Sequence, residues 1–141
     1  MEPNWMAIFV AALMPTLVGF IYYHPKVAGG VWMKANGFDA DNMVAPKPVL
    51  YALSLLFSVM ISMFVAANVT GEGQTTAPDG HSFVTFQHGL VHGAAMTILF
   101  AMPVLATMGI FERKSLNWVL VNSVYWLITL MAMGGILSAW R

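Results

Sequence analysis

The strongest chemical signal in this chain is a pair of histidines four residues apart, in the run Gln87-His88-Gly89-Leu90-Val91-His92-Gly93. On a helix, such a pair shares one face. Neutral imidazoles at that spacing can chelate one metal ion, as paired histidines on metalloprotease helices do. One of them can instead ligate a haem, with the second axial ligand coming from another helix or subunit. His81, seven residues before His88, joins the same face if the helix starts early, and the column His81, His88, His92 could then pass protons inward from the helix end. A plainer role stands beside these. A neutral histidine can simply hydrogen-bond across helices while Gly89 and Gly93 let a neighbour approach. No carboxylate falls within the apolar segments to complete a site, and that favours the plainer role.

Other candidates are weaker. His24, beside Pro25 and near Tyr22 and Tyr23, reads as an anchor at a helix end. Asn117 and Asn122, with Ser123 and Tyr125, can glue helices together or line a polar pocket. Of the 12 methionines, Met60 and Met63 carry thioethers that suit copper(I), but methionine is also the common filler of irregular apolar packing. Asp39-Ala40-Asp41-Asn42 opens like a calcium loop and then fails, with Val44 at the glycine position and Leu50 at the glutamate position. Asn68-Val69-Thr70 matches a glycosylation acceptor but abuts an apolar segment. With no cysteine, thiolate metal sites, iron–sulfur clusters and disulfides are excluded. No nucleophile elbow or phosphate loop is present. A net charge of zero provides no field for nucleic acid.

The elements that position these residues belong in lipid. Hydrophobic residues make up 59% of the 141 and charged residues only 9%, against roughly 25% charged in a soluble domain. Four stretches reach the roughly 20 apolar residues that cross a bilayer: about 5–23, 49–69, 83–111 and 116–140. The expected fold is an all-α integral membrane protein, one domain built as a four-helix bundle. The first span is expected to be a retained helix, because Met1-Glu2-Pro3-Asn4 lacks the positive charge of a signal peptide. A third span starting at Phe83 puts His88 roughly 8 Å and His92 roughly 14 Å along it, near mid-membrane.

Charge sets the orientation. The first loop holds Lys26, Lys34 and Lys47, and the third holds Arg113 and Lys114. The second has only Glu72 and Asp79, and Arg141 lies at the opposite end from the other five. Basic short loops stay cytoplasmic, which predicts both termini outside, with the Gly71–Gly80 loop facing outward. Within the first loop, Val27, Val31, Trp32 and Ala35 recur at near-helical spacing, which predicts a short interfacial helix over about 27–36. Gly37 ends it, and Pro46 and Pro48 open the second span. Aromatic rings at Trp5, Tyr22, Tyr23, Trp118 and Trp140 mark headgroup levels, and Trp126 falls mid-span.

Small residues mark the packing faces. They run through Ala7, Ala11, Pro15 and Gly19; through Ser54, Ser58, Ser62 and Ala66; and through Thr85, Gly89, Gly93, Thr97 and Ala101. Helices in lipid associate by close backbone approach along such stripes. Gly134 and Gly135 permit a further close approach or a bend. Pro15 and Pro103, each in a Met-Pro-x-Leu tetrad, predict kinks and hint at two related helical hairpins.

Two groups of residues carry a family resemblance. The first is Asn4-Trp5, Gly19-Phe20-Ile21-Tyr22-Tyr23-His24-Pro25, Trp32-Met33-Lys34 and Gly37. The second is Phe111-Glu112-Arg113-Lys114-Ser115, Asn122, Tyr125-Trp126, Met133-Gly134-Gly135-Ile136-Leu137 and Trp140. Over nearly its whole length the chain resembles the small bacterial membrane proteins of domain-of-unknown-function family seventeen-sixty-one. The resemblance implies a four-helix membrane fold in a bacterial inner membrane, and no activity.

The leading expectation for function is a non-enzymatic bundle that acts by assembly, as a homo-oligomer or as an accessory subunit beside other membrane subunits. The alternatives are a transporter or channel subunit for protons, a metal ion or a small solute at His88 and His92, and a haem- or metal-binding redox protein. The orientation is directly testable, because the chain has no cysteine of its own. A cysteine at Thr75 is expected to react with an impermeant thiol reagent on intact cells, and one at Ser115 is not. The reverse pattern would overturn the topology.

Overall fold

The computed structural model describes residues 3–70, 76, 79–82 and 84–140. Glu2, the 71–75 segment with Glu72 and Thr75, Pro78, Phe83 and Arg141 lie outside the described residues. Seven α-helices follow in chain order: α1 Trp5–Ala12, α2 Met14–Tyr22, α3 Gly30–Asn36, α4 Pro48–Thr70, α5 Phe86–Met96, α6 Met102–Phe111 and α7 Leu116–Ala139. All but α3 belong to four helical stretches long and apolar enough to cross a membrane: Trp5–Tyr22, Pro48–Thr70, Phe86–Phe111 and Leu116–Ala139.

Both prolines interrupt their spans, by different routes. Pro15 has no N–H for the Ala11 carbonyl. The chain tightens at Leu13, whose N–H turns back to the Val10 carbonyl at 3.2 Å. Ahead of Pro103 the backbone widens instead, into a single π turn at Thr97–Ala101. Such insertions account for kinks in long helices. Each Met-Pro pair then begins a new helix, α2 or α6. Pro15 is buried and Pro103 is exposed, so the two tetrads occupy different surroundings.

The last span is the hub. α7 packs against α1, α2, α3, α4, α5 and α6, and it is the most buried of the four spans. At the end where Asn4 meets Trp140 the core is apolar and closely packed. Ala7, Ile8 and Ala11 meet Val65, Val69, Leu130, Met133 and Leu137. The Ser62 hydroxyl donates to the Ile8 carbonyl at 2.8 Å, joining α4 to α1. Asn4 caps α1 through Ala7 N–H at 3.1 Å and reaches the Trp140 carbonyl at 3.3 Å.

The other end, which carries Lys26, Lys34, Lys47, Arg113 and Lys114, is held by rings and amides. The Tyr23 hydroxyl donates to Asn122 Oδ1 at 2.9 Å, and Asn122 Nδ2 donates to the Trp118 carbonyl at 2.8 Å. Trp118 Nε1 donates to Asn36 Oδ1 at 3.0 Å, and Asn36 Nδ2 to the Trp32 carbonyl at 2.8 Å. Tyr125 donates to the Pro15 carbonyl at 2.8 Å, and its ring lies 5.0 Å from that of Tyr23. The first loop is therefore helical over 25–36, as a π turn followed by α3, and it docks on α7. Gly37 closes α3 in the left-handed conformation at φ 69°.

One stretch departs from this packing. Every residue from Gly37 to Phe57 is exposed, so none of the first ten residues of α4 is buried on any face. α4 enters the bundle only from Ser58 onward. A cavity of about 460 Å³ opens between α4 and the π turn and α6, lined by Met60, Phe64, Phe100, Val104 and Trp126.

The Ser62 bond is one of few polar ties between α4 and the rest. Ser62→Ala is expected to lower stability by about 0.5–1 kcal/mol, the usual worth of an interhelical hydroxyl in a membrane protein. Equilibrium unfolding in mixed micelles checks this. An unchanged midpoint would show that the bond adds nothing beyond packing.

Candidate functional site

The histidine pair is held by the closest helix contact in the molecule. α5 begins at Phe86, where the Thr85 side chain caps it by accepting from His88 N–H at 3.2 Å. Gly89 and Gly93 then face α7 with no side chain between the two backbones. A Cβ at Gly89 would land on the Gly134 carbonyl, and one at Gly134 would land on the Gly89 carbonyl. One at Gly93 would land on the Leu130 carbonyl. Gly135 makes room for the Phe86 ring in the same way. Below the glycines, the buried Thr97 hydroxyl donates to the Gly93 carbonyl at 3.0 Å and also lies 3.3 Å from the Trp126 carbonyl.

His88 and His92 each precede one of these glycines, so they occupy the adjacent strip of α5, about 100° around the helix. Their rings lie side by side, with centroids 4.3 Å apart and planes tilted by 40°. Both residues are half-buried. His88 Nε2 is shut off from solvent and has no hydrogen-bond partner. The two imidazoles therefore sit next to each other on successive turns of one helix.

The remaining candidates do not join this pair. His81 lies outside α5, in the loop, with its side chain 86% exposed and its Nδ1 3.3 Å from Asp79. It is held there by a turn in which His81 N–H donates to Asp79 Oδ1 at 3.1 Å, with Gly80 at φ 87°. An early helix start, which would have aligned His81 with His88, therefore does not occur. The later start also changes the depths. His88 lies only about 3 Å and His92 about 9 Å along α5, against roughly 8 Å and 14 Å for a start at Phe83. Gln87 is exposed. His24 is exposed at the opposite end of the bundle, where its Nδ1 accepts from Lys26 N–H at 3.2 Å as a helix cap. Asp39 accepts from Asp41 N–H and Asn42 Nδ2, closing a short turn. Among the described residues, no three or more His, Cys, Asp or Glu side chains gather as a metal-ligand group.

The small-residue stripes divide in the same way. Ala7, Ala11 and Pro15 are buried, and Gly19 lies 3.8 Å from the Tyr125 ring by its would-be Cβ. Ser58 and Ser62 are buried, whereas Ser54 is exposed. Gly89, Gly93, Gly134 and Gly135 are all buried at the crossing of α5 and α7. The relay from Tyr23 through Asn122 and Trp118 to Asn36 was not predicted as a unit. Its one signal in the sequence was the set of polar-tipped aromatics and amides near the basic loops.

This geometry orders two substitutions. Gly93→Leu drives a side chain into the α7 backbone and is expected to destabilise by about 3 kcal/mol or more. His92→Ala removes a half-buried ring and is expected to cost about 1 kcal/mol. A thermal melt in detergent with the reverse order would show that the helix crossing is not what holds α5.

A family model described as "Protein of unknown function (DUF1761)" matches residues 6–138, a stretch that takes in nearly all of the four spans. No curated protein matches, and no solved structure matches. The chain belongs to the DUF1761 family of membrane-type helical bundles.

Proposed function

We propose that this protein works by assembly, as a homodimer in a bacterial inner membrane, with the first turns of α4 as its contact surface. One observation carries the reading. The face of α4 that begins at Ser62 and Ser58, both buried, continues to Ser54, which is exposed. The surrounding Val49, Leu50, Tyr51 and Leu53 are exposed too. Lipid offers no hydrophobic drive for helix association, so a face of small residues gains stability only from a partner backbone that packs on it. Within the chain that partner runs out at Ser58. A second copy meeting the first about a two-fold axis along the membrane normal would bring two such faces together.

The basic loops complete the placement. Lys26, Lys34, Lys47, Arg113 and Lys114 are all exposed at one end, which the positive-inside rule assigns to the cytoplasm, with both termini outside. α3 then lies at the cytoplasmic headgroup level, with Lys26 and Lys34 reaching water. The cavity beside α4, lined by Met60, Phe64, Phe100 and Trp126, suits an apolar helix or chain better than a hydrated ion.

Single cysteines test the assembly, since none is native. Ser54→Cys in native membranes is expected to give an oxidatively cross-linked dimer. A cysteine at Ile110, equally exposed on α6, is expected to stay monomeric. A protein that sediments as a monomer in mild detergent, with no cross-link at Ser54, would sink the proposal.

A further inference from the structure

We propose that His88 and His92 form a two-imidazole binding site for a divalent transition-metal ion, copper(II) or zinc in type, at the rim of the bundle. The observations are geometric. The rings lie 4.3 Å apart on successive turns of one helix, and His88 Nε2 is buried without a partner. A buried ring nitrogen needs a hydrogen bond or an electrophile, and neither is supplied by the protein around it. One metal ion held by a nitrogen from each ring, at about 2.0–2.1 Å, answers that need. The adjustment is small, because rotation of an imidazole about its last torsion is soft.

The frame is rigid where chelation requires it. Gly89 and Gly93 lock the backbone of the same two turns against α7, so the two ring-bearing positions keep their spacing. A site built on a fixed helix holds its ligands better than one on a loop. The rings lie within the first two turns after Thr85, close to the helix end and therefore to water. An ion can reach them without crossing the bundle.

Ligand chemistry selects the metal class. Two neutral nitrogens with no carboxylate beside them are poor ligands for magnesium, calcium or manganese. With no thiolate either, they favour copper(II), nickel and zinc in the usual order of affinity. Two protein ligands leave the remaining positions to water or to a small exogenous ligand. Haem held by both rings together fits less well. Two axial imidazoles must approach iron from opposite faces of the macrocycle, and neighbouring rings on one helix face cannot do so.

The test uses the full chain, purified in mild detergent through a tag without histidine and titrated with copper(II) or zinc chloride alone. One ion per chain is expected. Electron paramagnetic resonance of the copper form is expected to show coupling to two ring nitrogens. His88→Ala and His92→Ala are each expected to weaken binding by at least about tenfold, the lower range seen even for loss of an outer partner at a metal site. His81→Ala, in the exposed loop, should bind as the wild type does. The spectrum of the unmodified protein decides the matter even if a variant fails to fold. No stoichiometric binding, a spectrum without two nitrogens, or affinity that depends on His81 but not on His88 and His92 would each overturn the site.

Discussion

The contact between the backbones of α5 and α7 at Gly89 and Gly134 sets the geometry of the rest. In water, burial of apolar surface would hold these helices together over a range of distances. In lipid the hydrocarbon outside is as apolar as the helix, and that drive vanishes. Attraction then depends on how closely two backbones approach, and glycine facing glycine allows the closest approach there is. The two residues meet reciprocally, each occupying the place where the other would carry a Cβ. With α5 fixed, Thr97 bridges to the Trp126 carbonyl, and the π turn ahead of Pro103 is held against α7. The third span is thus tied down at its start and loosens toward α6.

The two ends of the bundle are secured by different chemistry, and the difference explains which parts are left uncovered. At the terminal end, small and branched side chains fill the space among α1, α4, α5 and α7. At the basic end, long aromatic rings and amides span wider gaps between α2, α3 and α7, linked by hydrogen bonds from Tyr23 to Asn36. The aromatic end is built around α2, α3 and α7, and α4 contributes nothing to it. The buried residues of α4 therefore all lie from Ser58 onward, and its first ten residues stay exposed. The exposed Ser54 follows directly from this unequal burial.

The sequence made the four spans legible because length and apolar composition alone decide whether a helix can cross a bilayer. The ends of the second and fourth spans were readable to within a residue, since Pro48 and Ser115 are unambiguous helix starts. The start of the third span was not. Apolar composition continues through Phe83 and Val84, and only the capping geometry of Thr85 places the helix end. That three-residue difference removed His81 from the histidine face and brought His92 about 5 Å nearer the helix start. Helix rotation was legible in part. The glycines at 89 and 93 identified a packing face, yet nothing in one sequence says that its partner is Gly134 and not a face of another helix. Long-range pairs such as Trp118 with Asn36, 82 residues apart in the chain, lay beyond reach for the same reason.

The histidine pair and the glycine pair are one arrangement seen from two sides. Gly89 and Gly93 repeat at four residues because a helix presents one face at that spacing, and residues 88 and 92 inherit the same repeat on the adjacent strip. Any two side chains there are brought into register by the packing of α5 on α7, whatever their identity. A small apolar residue at each would fill the strip without leaving a polar atom unpaired. Imidazoles instead bring two polar rings within 4.3 Å of each other, and one nitrogen, His88 Nε2, is buried with no partner. Close packing accounts for the register of the two positions, but not for the choice of histidine at both. A metal ion shared by the two rings, as proposed above, would account for that choice.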